Sequence, residues 1–199
     1  MEKKIITISR EFGSGGRTIG REVANRLGIP FYDKELVEKI ALESGFAPTF
    51  VEEHGEHSPG KSRLSYAFSH QGVPGVMNGM STADFLWSIQ CSVIMQLAEQ
   101  GPSVIVGRNA DYILKDRPDC LHVYIHADDE FRADRIVRLY GESEKSPQAR
   151  LAEKDKRRSV NYLHYTGQEW GVAQNYDLCL NSSRLGLDQC VELILSLMK

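Results

Sequence analysis

The residues with the most evident chemistry stand close to the N-terminus: Glu11-Phe12-Gly13-Ser14-Gly15-Gly16-Arg17-Thr18. Glycines, a cation and a hydroxyl in this order are the ingredients of an anion cradle. Glycine takes positive φ freely and leaves no Cβ in the way, so successive backbone N–H groups can turn toward one oxyanion. An apolar run, Ile5-Ile6-Thr7-Ile8, precedes the turn, and a helical pattern follows from Ile19. Strand, glycine turn, helix sets such a cradle at a helix N-terminus, where the peptide dipoles also favour negative charge. Gly13, Ser14, Gly15, Gly16, Arg17 and Thr18 are therefore expected to hold phosphate. Against the phosphate-loop pattern G-x-x-x-x-G-K-[ST], Gly16, Arg17 and Thr18 fill the last three places. Glu11 stands where the first glycine would be, and Arg17 where the lysine would be.

Two further basic groupings suit the same chemistry. Arg132, Arg135 and Arg138 recur at i, i+3, i+6 and form one helical stripe; Lys154, Lys156, Arg157 and Arg158 cluster in the following helix. Phosphoryl transfer asks a protein mainly to position two substrates and to neutralise charge on the moving group. Arginines on a mobile hairpin can do that, since each guanidinium offers a planar fork of donors and stays charged. The plainer reading is that Asp128–Arg132 and Asp134–Arg138 are ordinary i, i+4 surface pairs.

The elements that must position these groups are legible in outline. Ile19, Val23 and Leu27 give an apolar helix face that Gly28 and Pro30 terminate. Ile29–Tyr32 reads as a short strand and Asp33 as the N-cap of a helix burying Leu36, Val37, Ile40 and Ala41. Thr49 and Glu52 form a capping-box pair after Pro48. From His54 to Ser81 seven Gly or Pro residues interrupt the pattern, which marks a functional, mobile or partner-bound loop. His54 and His57 lack a third ligand nearby and read as solvated loop histidines. A long helix capped at Ser81 follows, then a strand at Ser103–Val106, a strand at Cys120–His126 and a helix running from the acids Asp128, Asp129 and Glu130 to Gly141. Ser146-Pro147 opens a helix ending in the basic cluster, Tyr162–Trp170 is polar and aromatic, Tyr176–Asn181 is a strand, and Asp188 begins the last helix.

Five strands alternating with helices predict an α/β fold: a three-layer, doubly wound parallel sheet with a phosphate loop and a helical lid. Ligands of such sheets bind beyond the C-terminal strand ends, which singles out Arg10 to Thr18, Asp33, Gly107 to Asp111, and Asp128. One domain over residues 1–199 is expected, with a loop-rich insert around 46–81 and a lid around 130–170. The net charge of −3 speaks against general nucleic-acid or membrane-surface binding. There is no long apolar segment, and the four cysteines (Cys91, Cys120, Cys179, Cys190) form no C-x-x-C pair. They read as reduced core thiols of a cytoplasmic protein.

The stretches TISREFGSGGRTIG, FYDKE, VIVGRNADYI, the arginine helix with its AEKDKRRSVNY continuation, and YDLCLNSSRLG resemble the cytidylate-kinase-like branch of P-loop nucleoside monophosphate kinases. The resemblance spans most of the chain and is weakest over residues 46–81. It implies that the first loop holds ATP phosphates, with Thr18 near magnesium. It further implies that Asp33, Arg108 and Asp111 face the acceptor, and that Arg17, Arg132, Arg135, Arg157 and Arg158 act on the transferring group, the last four from a closing lid. The chain departs from that pattern at Arg17, at Val106, where cytidylate kinases carry Asp before Gly-Arg, and at Asn109, where they carry a second Asp. Three readings follow in order. The first is a kinase acting on a nucleoside monophosphate or similar small acceptor, with residues 54–81 as a candidate homo-oligomer contact. The second is a nucleotide-binding regulatory protein with little turnover. The third is a dinucleotide-binding Rossmann protein, because Gly13-x-Gly15 follows a strand and Asp33 lies about 20 residues on, near a ribose-binding position.

Overall fold

A computed structural model describes residues 4–54 and 80–198. Among them, five strands form one parallel sheet: β1 (Ile5–Arg10), β2 (Phe31–Tyr32), β3 (Ser103–Val106), β4 (Cys120–His126) and β5 (Leu178–Asn181), in the order β2-β3-β1-β4-β5. The helices are α1 (Gly16–Leu27), α2 (Lys34–Ser44), α3 (Pro48–His54), α4 (Thr82–Gln100), α5 (Ala110–Ile113), α6 (Asp129–Tyr140), α7 (Pro147–Thr166), α8 (Ser182–Leu185) and α9 (Leu187–Ser196). The expected three-layer architecture is what the chain adopts.

Period-two alternation sorts the strand residues between two cores. Ile6 and Ile8 of β1, Val104 and Val106 of β3, and Leu121, Val123 and Ile125 of β4 pack with α1 and α9. Ile5, Ile105 and Cys120 face the other way, against α2, α3 and α4. β1 lies at the centre with β3 and β4 on either side. Its exit loop therefore emerges at the switch point, where the connection after β1 runs one way across the sheet and that after β4 the other.

Several local expectations need correction. β2 and β5 are each two residues shorter at their N-terminal ends than the apolar runs suggest. α7 does not stop at its basic cluster. It continues to Thr166, because Leu151, Asn161 and Tyr162 keep one face buried, and Gly167 then closes it in the left-handed conformation. Asp33 does precede α2, but its side chain makes no cap hydrogen bond. Cys120 and Cys190 are buried, whereas Cys179 is exposed. The Rossmann reading fails on the sheet order: there the second strand adjoins the first, whereas here β3 separates β1 from β2. His57 and residues 55–79, and with them the oligomer contact, lie outside the described residues. No described helix is long and apolar enough to cross a membrane.

Candidate active site

The glycine turn is built as the sequence predicts, and its glycines are required by shape. Gly13 (φ 83°) and Gly15 (φ 89°) occupy the left-handed region. A Cβ on Gly13 would lie 2.9 Å from the Arg132 carbonyl oxygen, and one on Gly15 would lie 2.6 Å from Leu187 Cδ2. The turn is anchored from within and from α8. Ser14 is fully buried, and both its amide (3.3 Å) and its hydroxyl (2.9 Å) donate to the Glu11 carbonyl. Ser182, at the start of α8, donates its hydroxyl to the Ser14 carbonyl at 2.5 Å. The Asn181 side chain caps that short helix by accepting from the amides of Ser183 and Arg184. Part of the Asn181-Ser182-Ser183-Arg184-Leu185-Gly186 stretch thus holds the phosphate loop in place, a role the sequence did not disclose.

Glu11, at the first-glycine position, accepts the Ala127 amide at 3.0 Å and lies 3.5 Å from Arg132 Nε. Burial raises its pKa; the Ala127 bond and the Arg132 charge oppose that rise. The carboxylate ties the turn to the end of β4.

A cleft of about 650 Å3 opens over this turn. Arg17, Thr18, Asp33, Arg108, Arg135 and Arg158 all line it, together with Arg10 and Lys154. Arg17 forms an ion pair with Asp33 across the cleft. Arginine is longer than the lysine it replaces, so the loop cation reaches a carboxylate at the end of β2. Arg135 donates to the Thr18 hydroxyl at 2.8 Å, and its guanidinium lies beside Gly15. Burial, then the neighbouring Arg138, lowers its pKa, although an arginine keeps its charge at any physiological pH. Arg158 donates to the Arg10 carbonyl at 3.0 Å and lies over the Phe12 ring. Arg10 packs so closely on Gly107 that any Cβ there would collide with its guanidinium. Arg108, with φ 58°, donates to the Val51 carbonyl at 3.2 Å, while Gln90 holds its own carbonyl at 2.8 Å.

Three expected site residues do not line this cleft. Arg132 is 7% exposed and surrounded by Glu11, Asp129 and Asp155. Burial alone would lower its pKa, but its bonds to Asp129 and Asp155 raise it. Arg157, on α7, is partly exposed and donates to Glu153 at 2.6 Å. Asp111 is 3% exposed; it accepts from Ser9 at 3.1 Å and from Tyr162 at 2.7 Å. Burial raises its pKa against those two bonds. The left-handed conformations of Arg108 and Asn109 turn the chain so that Arg108 faces the cleft and Asp111 the interior. The Asn109 amide donates to Asn161 of α7 at 2.9 Å, which fixes that turn. Arg10, already within the stretch singled out after β1, lines the site, and Lys154 gains a place there. The signals for them were present, as a cation at the end of a strand and a member of the basic cluster.

A parallel sheet with a glycine phosphate loop at its switch point and a ring of cations above it defines a P-loop kinase fold. The sequence pattern of the cytidylate kinase-like family matches residues 5–184, and the chain belongs to that family. The cytidylate kinase of Pyrobaculum aerophilum is 25% identical over 192 residues, spanning 96% of this chain and 90% of its own. That of Archaeoglobus fulgidus is 26% identical over 195 residues, spanning 96% and 92%. Among solved structures, an uncharacterized protein from Eubacterium ventriosum matches with a TM-score of 0.72 at 26% identity over 98% of both chains. The shikimate kinase of Acinetobacter baumannii matches with a TM-score of 0.55 at 16% identity over 98% of this chain and 93% of its own, a likeness of fold alone.

Proposed function

We propose that this chain is an ATP-dependent phosphotransferase of the nucleoside monophosphate kinase type, moving the γ-phosphoryl group to a nucleoside monophosphate or a similar small acceptor. The observation that carries the reading is the glycine turn with a cleft above it lined by Arg17, Arg135, Arg158, Asp33 and Arg108. The cradle fits a polyphosphate, since the left-handed Gly13 and Gly15 turn the chain into the N-terminus of α1, where backbone N–H groups and peptide dipoles favour negative charge. Thr18 offers the hydroxyl oxygen for magnesium, an ion that keeps water and phosphate oxygens as its other ligands. When bound, magnesium supplies charge neutralisation at the phosphate oxygens.

The residues of the chain have separable tasks in this reading. Gly13 to Gly16 orient backbone N–H groups on the donor phosphates. Arg17 and Arg135 offset charge at the leaving and transferring groups, where donors in a water-poor site act most strongly. Arg108 and Asp33 orient the acceptor from the ends of β3 and β2. α6 and α7 form the lid, with Arg135 and Arg158 already at the cleft and Arg157 brought in on closure. Arg132 and Asp111 act indirectly, through the groups they hold.

ADP release from magnesium ATP with CMP, dCMP, UMP, AMP and GMP in turn tests the reading. Turnover well above the acceptor-free rate with at least one of them is expected. ATP binding with no turnover above that rate would overturn it in favour of a nucleotide-binding regulator. The Arg17–Asp33 pair is the observation favouring that second reading, because it holds the loop cation on the acceptor side.

A further inference from the structure

The backbone of Phe12 is gripped on both sides of its Cα by one ion pair. Its amide donates to Asp155 Oδ1 at 2.7 Å, and its carbonyl accepts from Arg132 Nη1 at 3.3 Å. Arg132 Nη1 in turn donates to Asp155 Oδ2 at 2.5 Å. Arg132 comes from α6 and Asp155 from α7, so the two helices of the hairpin meet on the residue that opens the glycine turn. Both side chains are well shielded, at 9% and 17% exposure, which keeps this pair from being screened as a surface pair is. The packing agrees with the bonds: Ala133, Ile136 and Leu151 form a small apolar cluster with Phe12 against it. Gly13 sits so close to the Arg132 backbone that a methyl group would not fit between them.

We propose that Asp155, acting with Arg132, is a positioning residue that sets the conformation of the phosphate loop by clamping the Phe12 backbone. The inference rests on the phosphotransferase reading for its consequence in catalysis, though not for its effect on loop geometry. A fixed Phe12 backbone fixes the direction in which the chain enters Gly13, and so the aim of the N–H groups that follow. It also makes the base of the hairpin a fixed point. Donor-phosphate binding and hairpin position are then two readings of one arrangement.

The test uses the full chain with Asp155→Ala and Asp155→Asn. Calorimetry measures affinity for ATP and, separately, for the best monophosphate of the acceptor panel; hydrogen exchange follows the Ser14, Gly15 and Gly16 amides. Loss of charge-assisted bonds of this kind predicts that Asp155→Ala weakens ATP binding by about 10- to 100-fold. Monophosphate affinity should change less than about threefold, and exchange at the three amides should accelerate. Asp155→Asn, which keeps an acceptor oxygen for Phe12 but drops the charge facing Arg132, should fall between wild type and Asp155→Ala. It decides the matter if the alanine variant does not fold. Wild-type ATP affinity and exchange in Asp155→Asn would overturn the proposal, as would an equal loss of ATP and monophosphate binding. A clamp that behaves as expected in a protein with no turnover would leave this inference standing and remove the kinase reading instead.

Discussion

Asp33→Asn should tighten ATP binding while impairing turnover, an unusual combination that follows from the Arg17–Asp33 pair. In the free protein the loop cation is already occupied, so incoming phosphates must compete with Asp33 for it. Arg17 is 39% exposed and Asp33 11%, which places the pair between a screened surface contact and a buried one. A value of about 1 kcal/mol is appropriate to that setting, equivalent to about fivefold in affinity. Removing the Asp33 charge should therefore lower the ATP dissociation constant by about fivefold at 0.1 M salt, and by less at higher salt. Turnover should fall in the same variant, because the acceptor loses a carboxylate that orients it. Arg17→Ala should cost about 10²–10³ in kcat, the usual loss when a donor to developing charge is removed. The decisive measurement is the double-mutant cycle. In an Arg17→Ala background, Asp33→Asn should no longer improve ATP affinity. An improvement of the same size there, or none in the single variant, would refute the idea that Asp33 competes with phosphate for Arg17.

Three further outcomes follow from side-chain placement. Arg135→Ala should weaken ATP binding and lower kcat together, because Arg135 already touches Thr18. Arg157→Ala should lower kcat with ATP affinity nearly unchanged, as expected of a contact made only on closure; steady-state kinetics with calorimetry separates the two patterns. Asp111→Asn should change how stability depends on pH. Asp111 has a folded-state pKa above its ordinary value of 3.8, so its protonated form is favoured in the native state. The wild type then loses stability relative to the variant as pH rises through 3.8, and the difference levels off above the raised pKa. Urea melts between about pH 3.5 and 7 would show this, and a pH-independent difference would contradict it.

The features legible in the sequence were those fixed locally. The glycine turn, the strands Ser103–Val106 and Cys120–His126, and the Ser146-Pro147 start of α7 depend on residues within a few positions of one another. What escaped depends on residues brought together by the sheet. Arg132 reads as a phosphate-facing arginine or a partner of Asp128. In the fold Asp128 pairs with Arg184, while Arg132 is enclosed by Glu11, Asp129 and Asp155. Asp111 follows β3 within the stretch Gly107 to Asp111, where ligands of such sheets bind. Two successive left-handed residues send the Arg108 and Asp111 side chains in opposite directions, and β-branching or glycine patterns give no warning of that. The extent of α7 was hidden because Arg157 and Arg158 look like a helix terminus, although the apolar face resumes at Tyr162 beyond them.

The central place of β1 has a consequence for how the protein is made. β1 is synthesised long before its partners, since among the described residues Ile5 pairs with Ser103 and Cys120. Until those residues emerge, Ile5-Ile6-Thr7-Ile8 is an apolar strand with both edges bare, the kind of segment that pairs with other chains if it is left unattended. The phosphate loop waits longer still, because its supports Asp155 and Ser182 are among the later residues of the chain. Assembly is therefore governed by contacts distant in sequence, which makes it slow relative to a helical protein of the same size. β1 and the glycine turn are thus made well before the residues that set them in place.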